Sequence, residues 1–202
     1  MKLLIASRNR GKVVEIRALL GLALQKVVQV VTLTDLPNTE QPRENGKTFS
    51  ENARIKALHY AKAHNILCIA DDSGLAVDAL KGLPGVRSAR FAGEGASDEA
   101  NNAHLLHELV PFPQPWKAAF VCVAAAALPG RVVAEAKGAM EGQILPKGRG
   151  IDGFGYDPIF FIPSLGKTMA ELSTEEKNRI SHRGMALRAL IADMKAAGLL
   201  LA

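Results

Sequence analysis

Apolar positions along the chain follow two rhythms. KLLIA (2–6), VVQVVTL (27–33) and ILCIA (66–70) are short, nearly continuous apolar runs, the pattern of buried strands. Between them the spacing shifts to three and four. Val13, Ile16, Leu20 and Leu24 share one side of a helix predicted over about 9–24. Phe49, Ala53, Ala57, Tyr60 and Ala61 share one side of a second helix, capped by Thr48 or Ser50 and reaching about His64. The third strand is expected to end abruptly at Asp71 and Asp72.

Farther on, Ser97 with Asp98 and Glu99 behind it marks a helix start, and Pro111, Pro113 and Pro115 stop that helix after Val110. Two long strands, about 116–128 and 131–144, are joined by LPGR and read as a hairpin. FGYDPIFF is aromatic and β-branched, hence predicted as a further strand. Ser173 and Glu176 form a capping-box pair, and a last amphipathic helix runs from about Ser181 to Ala197, ended by Gly198. Strand–helix–strand–helix–strand followed by a hairpin implies an α/β fold with a mixed sheet. No repeat or low-complexity linker divides residues 1–202, so a single domain is expected.

Composition narrows the choice of partners. The chain carries a net charge of +5 with a pI near 9.3, but its 25 Lys and Arg are dispersed and lack the aromatic interleaving of a nucleic-acid surface. Small anions suit the charge better than nucleic acid does. The longest mainly apolar run, AAFVCVAAAAL (118–128), is too short for a membrane span, and LLIA is too short for a signal-peptide core. Cys68 and Cys122 sit inside apolar runs, as buried thiols of a reducing cytoplasm would.

Several motifs suggest nucleotide chemistry, and most fail. GRGIDG (148–153) has the glycine spacing of a dinucleotide turn, yet Pro158 and a strand-like run follow where a helix must open. The GKT triplets at 46–48 and 166–168 lack the earlier glycine of a P-loop, its place being taken by Gln41 and Phe161. SRNRGK (7–12) stands better: it joins the first strand to the first helix, where free amides attract an anion. Ser7 and Asn9 offer hydrogen bonds, and Arg8, Arg10 and Lys12 offer charge. Helix capping by Ser7 or Asn9 explains the same residues.

ADDSG (70–74) sets two carboxylates side by side where a strand would deliver them to a sheet edge. Adjacent strand residues face opposite ways, so Asp71 and Asp72 should do different work: one holding Mg²⁺ and orienting water, the other capping the turn or sitting behind. Glu44 lies in the loop before the second helix, where it could supply a second metal carboxylate or stand solvated, and Lys56 sits among the inward-facing residues of that helix, where it could snorkel or reach a cleft. His182 and Arg183 open the last helix, where an anion or a base edge could be met.

Taken together, SRNRGKVVEI, TFSENARIKA, ADDSGLAVDAL, LPGVRSARFAG, GFGYDPIF and EEKNRISHRGMAL occur in the order found in the Ham1-like inosine triphosphate pyrophosphatases, and the resemblance spans residues 3–195. It implies an ITPase-like fold, a mixed twisted sheet in two lobes flanking a nucleotide cleft, in a Mg²⁺-dependent homodimer. The activity it implies is cleavage of the α–β bond of XTP, ITP and dITP, which cleanses the nucleotide pool. By the same resemblance Ser7, Arg8, Asn9, Arg10, Gly11 and Lys12, with Lys56, would hold the triphosphate. Asp72 would be the catalytic base and a metal ligand beside Glu44, with Ser73 at the substrate. Phe154, Gly155, Tyr156 and Asp157 would wall the nucleotide pocket, and Lys177, His182 and Arg183 would complete the contacts. One departure stands out: the family's loop is often G-x-G-G before FGYDP, whereas this chain has Gly150, Ile151, Asp152 and Gly153.

Overall fold

A computed structural model describes residues 1–24 and 28–200. These residues form seven strands and five α-helices, in the order β1 (Lys2–Ile5), α1 (Arg10–Leu24), β2 (Gln29–Thr32), α2 (Phe49–His64), β3 (Leu67–Val77), α3 (Asp98–Leu109), β4 (Trp116–Leu128), β5 (Arg131–Ile144), β6 (Phe160–Ile162), β7 (Lys167–Thr168), α4 (Thr174–Ile180) and α5 (His182–Ala196). The strands form one sheet in the order β2-β1-β3-β4-β5-β6-β7. Pairing of β1 with β2 and with β3 is parallel, whereas β6 pairs antiparallel with β5 and β7, so the sheet is mixed as the element order implied. Val27 and the side chain of Leu24, both part of the sequence expectation, lie outside the described residues.

The chain divides into two compact units. The first comprises Met1–Asp72, Cys122–Gly138 and Arg183–Ala202. Its strands alternate strictly. Leu3, Ile5, Leu67, Ile69, Cys122, Ala124 and Ala126 turn to one face, against Ile16, Leu19 and Leu20 of α1 and Leu187, Leu190, Ile191 and Met194 of α5. Leu4, Ala6, Cys68, Ala70, Val123, Ala125 and Ala127 turn to the other, against Ala53, Ala57, Tyr60 and Ala61 of α2. Covering both faces explains why these strands read as continuous apolar runs. The second unit comprises Ser73–Val121 and Ala139–His182. Its single core gathers Leu75, Leu105, Leu109, Trp116, Phe120, Met140, Tyr156, Phe160 and Met169.

Helix starts follow their caps. Thr48 accepts the amide of Glu51, Ser97 that of Ala100, and Ser173 that of Glu176, completing the capping box foreseen there. At the other end of α5, Gly198 takes φ +67°, which suits glycine.

Two expectations need correction. β3 does not stop at Asp71 and Asp72; it continues to Val77, placing both carboxylates mid-strand in the third of seven strands rather than at a sheet edge. Burial of the two Asp is made possible by partners: both carboxylates are ion-paired, so the ladder need not break to solvate them. Of FGYDPIFF, likewise, only the last two residues are strand. Residues 154–159 turn, with the Asp157 carboxylate accepting the Phe154 amide at 2.9 Å and the Tyr156 carbonyl accepting the amides of Ile159 and Phe160; only Phe160–Ile162 is extended. A side chain that closes its own turn outweighs aromatic strand propensity.

Candidate functional site

In the first unit the parity of β3 decides what each Asp meets. Counting on from Leu67 and Ile69, Asp71 falls on the face of α1 and α5; counting on from Cys68 and Ala70, Asp72 falls on the face of α2. Asp71 is 2% exposed and takes Lys12 Nζ at 3.0 Å and Arg183 Nε at 3.3 Å on one oxygen. Arg183, equally buried, also binds Glu15 through its guanidinium. Burial alone would raise the pKa of Asp71, but Lys12, Arg183 and Lys56 together hold it well below the usual carboxylate range. This aspartate stays ionised.

Asp72 differs. Its Oδ1 accepts Lys56 Nζ at 3.0 Å and its Oδ2 accepts the Asn52 amide at 3.2 Å. Burial is the largest influence and pushes its pKa above the ordinary value, against the pull of Lys56, Lys12 and Asn52. Lys56 also reaches Glu44 Oε2 at 2.8 Å, so one ammonium bridges two carboxylates. Burial would lower the pKa of that lysine, yet Asp72, Asp71 and Glu44 carry it above the ordinary lysine value. Adjacent aspartates with opposed shifts are suited to opposed tasks: a fixed anion and a group able to take a proton.

SRNRGK performs the capping that was its plainer explanation. Asn9 Oδ1 accepts the Lys12 amide at 3.1 Å, and Ser7 Oγ accepts the Asn9 amide at 3.3 Å. Lys12 turns toward Asp71, whereas Arg8 turns elsewhere and donates to the Thr39 carbonyl at 2.7 Å. There Arg8 helps line a pocket of about 320 Å³ with Leu33, Leu36, Tyr60 and His64. Gly11 lies in the first turn of α1, behind the exposed Arg10 that opens it. Lys12, Glu44, Lys56, Asp72 and Arg183 are thus members of one charged cluster, and Arg8 is not.

The second unit holds the rest. Asp157 and Lys177 form a buried ion pair at 2.6 Å, and the Lys177 ammonium lies 4.7 Å from the Phe154 ring centre. Tyr156 is core: its hydroxyl donates to the Ser88 carbonyl at 2.9 Å, and burial pushes its pKa up. Gly155 is clamped from α3, its amide donating to Asp98 at 2.6 Å and its carbonyl accepting Asn102 at 3.1 Å. His182 stacks on Phe120 with ring centres 4.8 Å apart. Ser73 is half-buried in β3, directly after Asp72.

Sequence reasoning missed Glu15, Asn52, Asp98 and Asn102. Asn52 had a signal, a polar residue one helical turn before Lys56 among inward-facing positions. Glu15 had one too: an acidic residue beside Ile16 on the buried side of α1. Asp98 and Asn102 looked like ordinary helix-start and helix-surface residues.

Two carboxylates converging within 3 Å of one ammonium are a donor set suited to a divalent cation that keeps water and phosphate oxygens as its remaining ligands. Among the described residues no group of three or more His, Cys, Asp and Glu side chains is placed to hold a metal by itself. None of their helices is long and apolar enough to cross a membrane.

Comparison with known proteins agrees with this geometry. The Ham1 family model matches residues 3–193. A protein of Geobacter sulfurreducens named dITP/XTP pyrophosphatase is 50% identical, over 95% of both chains. One of the same name from Exiguobacterium sibiricum is 49% identical over 95% of this chain and 96% of its own. A solved structure of the Staphylococcus aureus Ham1 protein superposes with a TM-score of 0.85 at 42% identity, covering 98% of this chain and all of that one. This chain is a member of the Ham1 family.

Proposed function

We propose that this protein is a Mg²⁺-dependent nucleoside triphosphate pyrophosphohydrolase that cleaves the α–β phosphate bond of XTP, ITP and dITP. Its relatives' shared name supports the nucleotide class. One observation carries the chemistry: Glu44 and Asp72 share a cation at 2.8 and 3.0 Å, and Asp72 is the carboxylate whose pKa burial raises. Glu44 and Asp72 would hold the Mg²⁺, which when bound neutralises phosphate charge and acidifies water.

Asp72 then orients a water toward the α-phosphorus and takes its proton. The new P–O bond forms at that phosphorus as the bond to the bridging oxygen breaks, leaving monophosphate and pyrophosphate. Lys12 and Lys56 supply positive charge for the triphosphate, and the Ser7 hydroxyl and Asn9 NH2, whose oxygens cap the start of α1, would donate to it. To Phe154, Lys177 and His182 we assign the nucleoside. Its 6-keto group would accept from donors that an amino group meets as an unpaired clash, a mismatch able to discriminate by orders of magnitude. A homodimer belongs to the same proposal, with light scattering as its test.

The experiment is pyrophosphate release from purified protein across ITP, XTP, dITP, GTP, ATP, TTP and UTP, with and without chelator. Chelator-sensitive release strongest with ITP or XTP is expected. Preference for a pyrimidine overturns the substrate, and equal turnover in chelator overturns the metal.

A further inference from the structure

Asn52 lies in the first turn of α2 with 1% of its surface exposed. Its side chain makes two hydrogen bonds that nothing else in the helix requires. Oδ1 accepts the Gly46 amide at 2.8 Å, and Nδ2 donates to Asp72 Oδ2 at 3.2 Å. The orientation of the amide follows from chemistry: a backbone N–H can only donate and an ionised carboxylate can only accept, so the flipped side chain would lose both bonds. Gly46 is pressed closely onto this group. A Cβ there would lie 2.6 Å from Asn52 Oδ1 and 2.7 Å from the Glu51 Cβ.

Gly46 stands two residues after Glu44 in the same loop. One side chain therefore ties the loop that carries Glu44 to the strand that carries Asp72. Lys56, one turn farther along the same face, binds both carboxylates by charge. The lysine can exchange its partners when another cation arrives, whereas Asn52 is neutral and gains nothing by letting go. Burying an amide is unfavourable unless both ends are satisfied, and here they are satisfied only while loop and strand keep this register.

We propose that Asn52 is a positioning residue: it fixes Glu44 and Asp72 relative to each other so that both carboxylates meet one divalent cation, and it holds the Asp72 carboxylate in the rotation used for turnover. The inference rests on the reading of Glu44 and Asp72 as cation ligands given above.

The test is titration of the full-length, nucleotide-free protein with Mn²⁺, followed by electron paramagnetic resonance, alongside kcat and KM for ITP. Asn52→Ala should weaken Mn²⁺ binding by roughly 10–100-fold, the usual effect of removing a group that orients a metal ligand. It should lower kcat by a similar factor and leave KM nearly unchanged. Gly46→Ala, which drives a methyl group into the same contact, should weaken Mn²⁺ in the same direction, and the double variant should fall well short of the product of the two effects. Ala57→Gly loosens α2 without touching the tie and serves as the stability control. Unchanged Mn²⁺ affinity in Asn52→Ala overturns the proposal, as does equal weakening in Ala57→Gly at equal loss of Tm. If the unsubstituted protein binds no Mn²⁺ and turns over in chelator, the cation reading itself falls and takes this one with it.

Discussion

Both units bury charge, and they do it differently. In the second, Asp157 and Lys177 pair one to one, with 5% of either side chain exposed, under the Phe154 ring. In the first, four carboxylates (Glu15, Glu44, Asp71 and Asp72) meet three cations (Lys12, Lys56 and Arg183). The Asp157–Lys177 pair is closed off by burial, and its carboxylate also accepts the Phe154 amide at 2.9 Å. The most exposed members of the first unit's cluster are the Lys12, Lys56 and Glu44 side chains at 15, 12 and 23%. An added cation would therefore arrive beside Glu44 and Lys56, the solvent-facing end of the cluster. The contrast is between a charged cluster partly open to solvent and an ion pair closed off from it.

The sharpest way to break this contrast is Asp72→Asn. It removes the proton acceptor while keeping the shape that Asn52 and Lys56 pack against, so kcat should fall by about 10²–10⁴-fold. Asn at this position must turn its NH2 toward Lys56 or Asn52, both of which donate to Asp72, so the variant should also melt a little lower than the parent. Pyrophosphate release and a thermal melt check both parts. In the second unit the balance of effects should reverse. Lys177→Ala removes the ammonium from beside the buried Asp157 carboxylate, and breaking such a pair costs about 3–5 kcal/mol. Urea unfolding measures it, and Asp157→Asn combined with Lys177→Met should recover much of the loss.

The same contrast shows what a sequence reveals. Helices α1 and α2 were legible from the spacing of Ile16 and Leu20 and of Ala53, Ala57 and Tyr60, because each buries one stripe against one face of a sheet. The opposite facing of Asp71 and Asp72 was legible too, since period-two geometry holds wherever a strand runs. That the strand runs through them was not, because a buried carboxylate depends on partners as distant in sequence as Arg183. FGYDPIFF misled for a related reason: its composition favours a strand, and only the return of Asp157 to the Phe154 amide makes it a turn. Glu44, Lys56 and Asp72 were placed as a set by resemblance to a family, and the structure shows the contact that joins them. Asn52 was passed over because helical spacing shows neither of its partners, Gly46 and Asp72.

A smaller effect sharpens the picture of the first unit under acid. Lys12 and Arg183 hold the folded pKa of Asp71 below its ordinary value of 3.8, so the folded state binds this proton less readily than the unfolded chain. The stabilisation is fully present above that value and is lost as pH falls below it toward the folded pKa. Asp71→Asn should destabilise the protein at pH 7 and show a shallower loss of stability below pH 3.8 than the parent, read by urea midpoints across an acid series.

The smallest expected effects come from two helix caps of equal chemistry. Thr48 accepts an amide at 3.2 Å at the start of α2, and Ser97 does the same at 3.2 Å at the start of α3. Either residue replaced by Ala should cost about 1 kcal/mol, visible as a small shift in Tm. Their functional costs should part. The first turn of α2 carries Asn52, so fraying it loosens the tie to Asp72 and should lower kcat. The first turns of α3 carry Asp98 and Asn102, which clamp Gly155 in the Phe154–Asp157 turn, so fraying them should raise KM for the nucleotide. Equal stability losses with kcat reduced in Thr48→Ala and KM raised in Ser97→Ala would follow directly from the division of labour between the units. If both variants lowered kcat alone, the turn would have no part in holding the nucleoside, and the assignment of Phe154 and Lys177 to that task would fail with it.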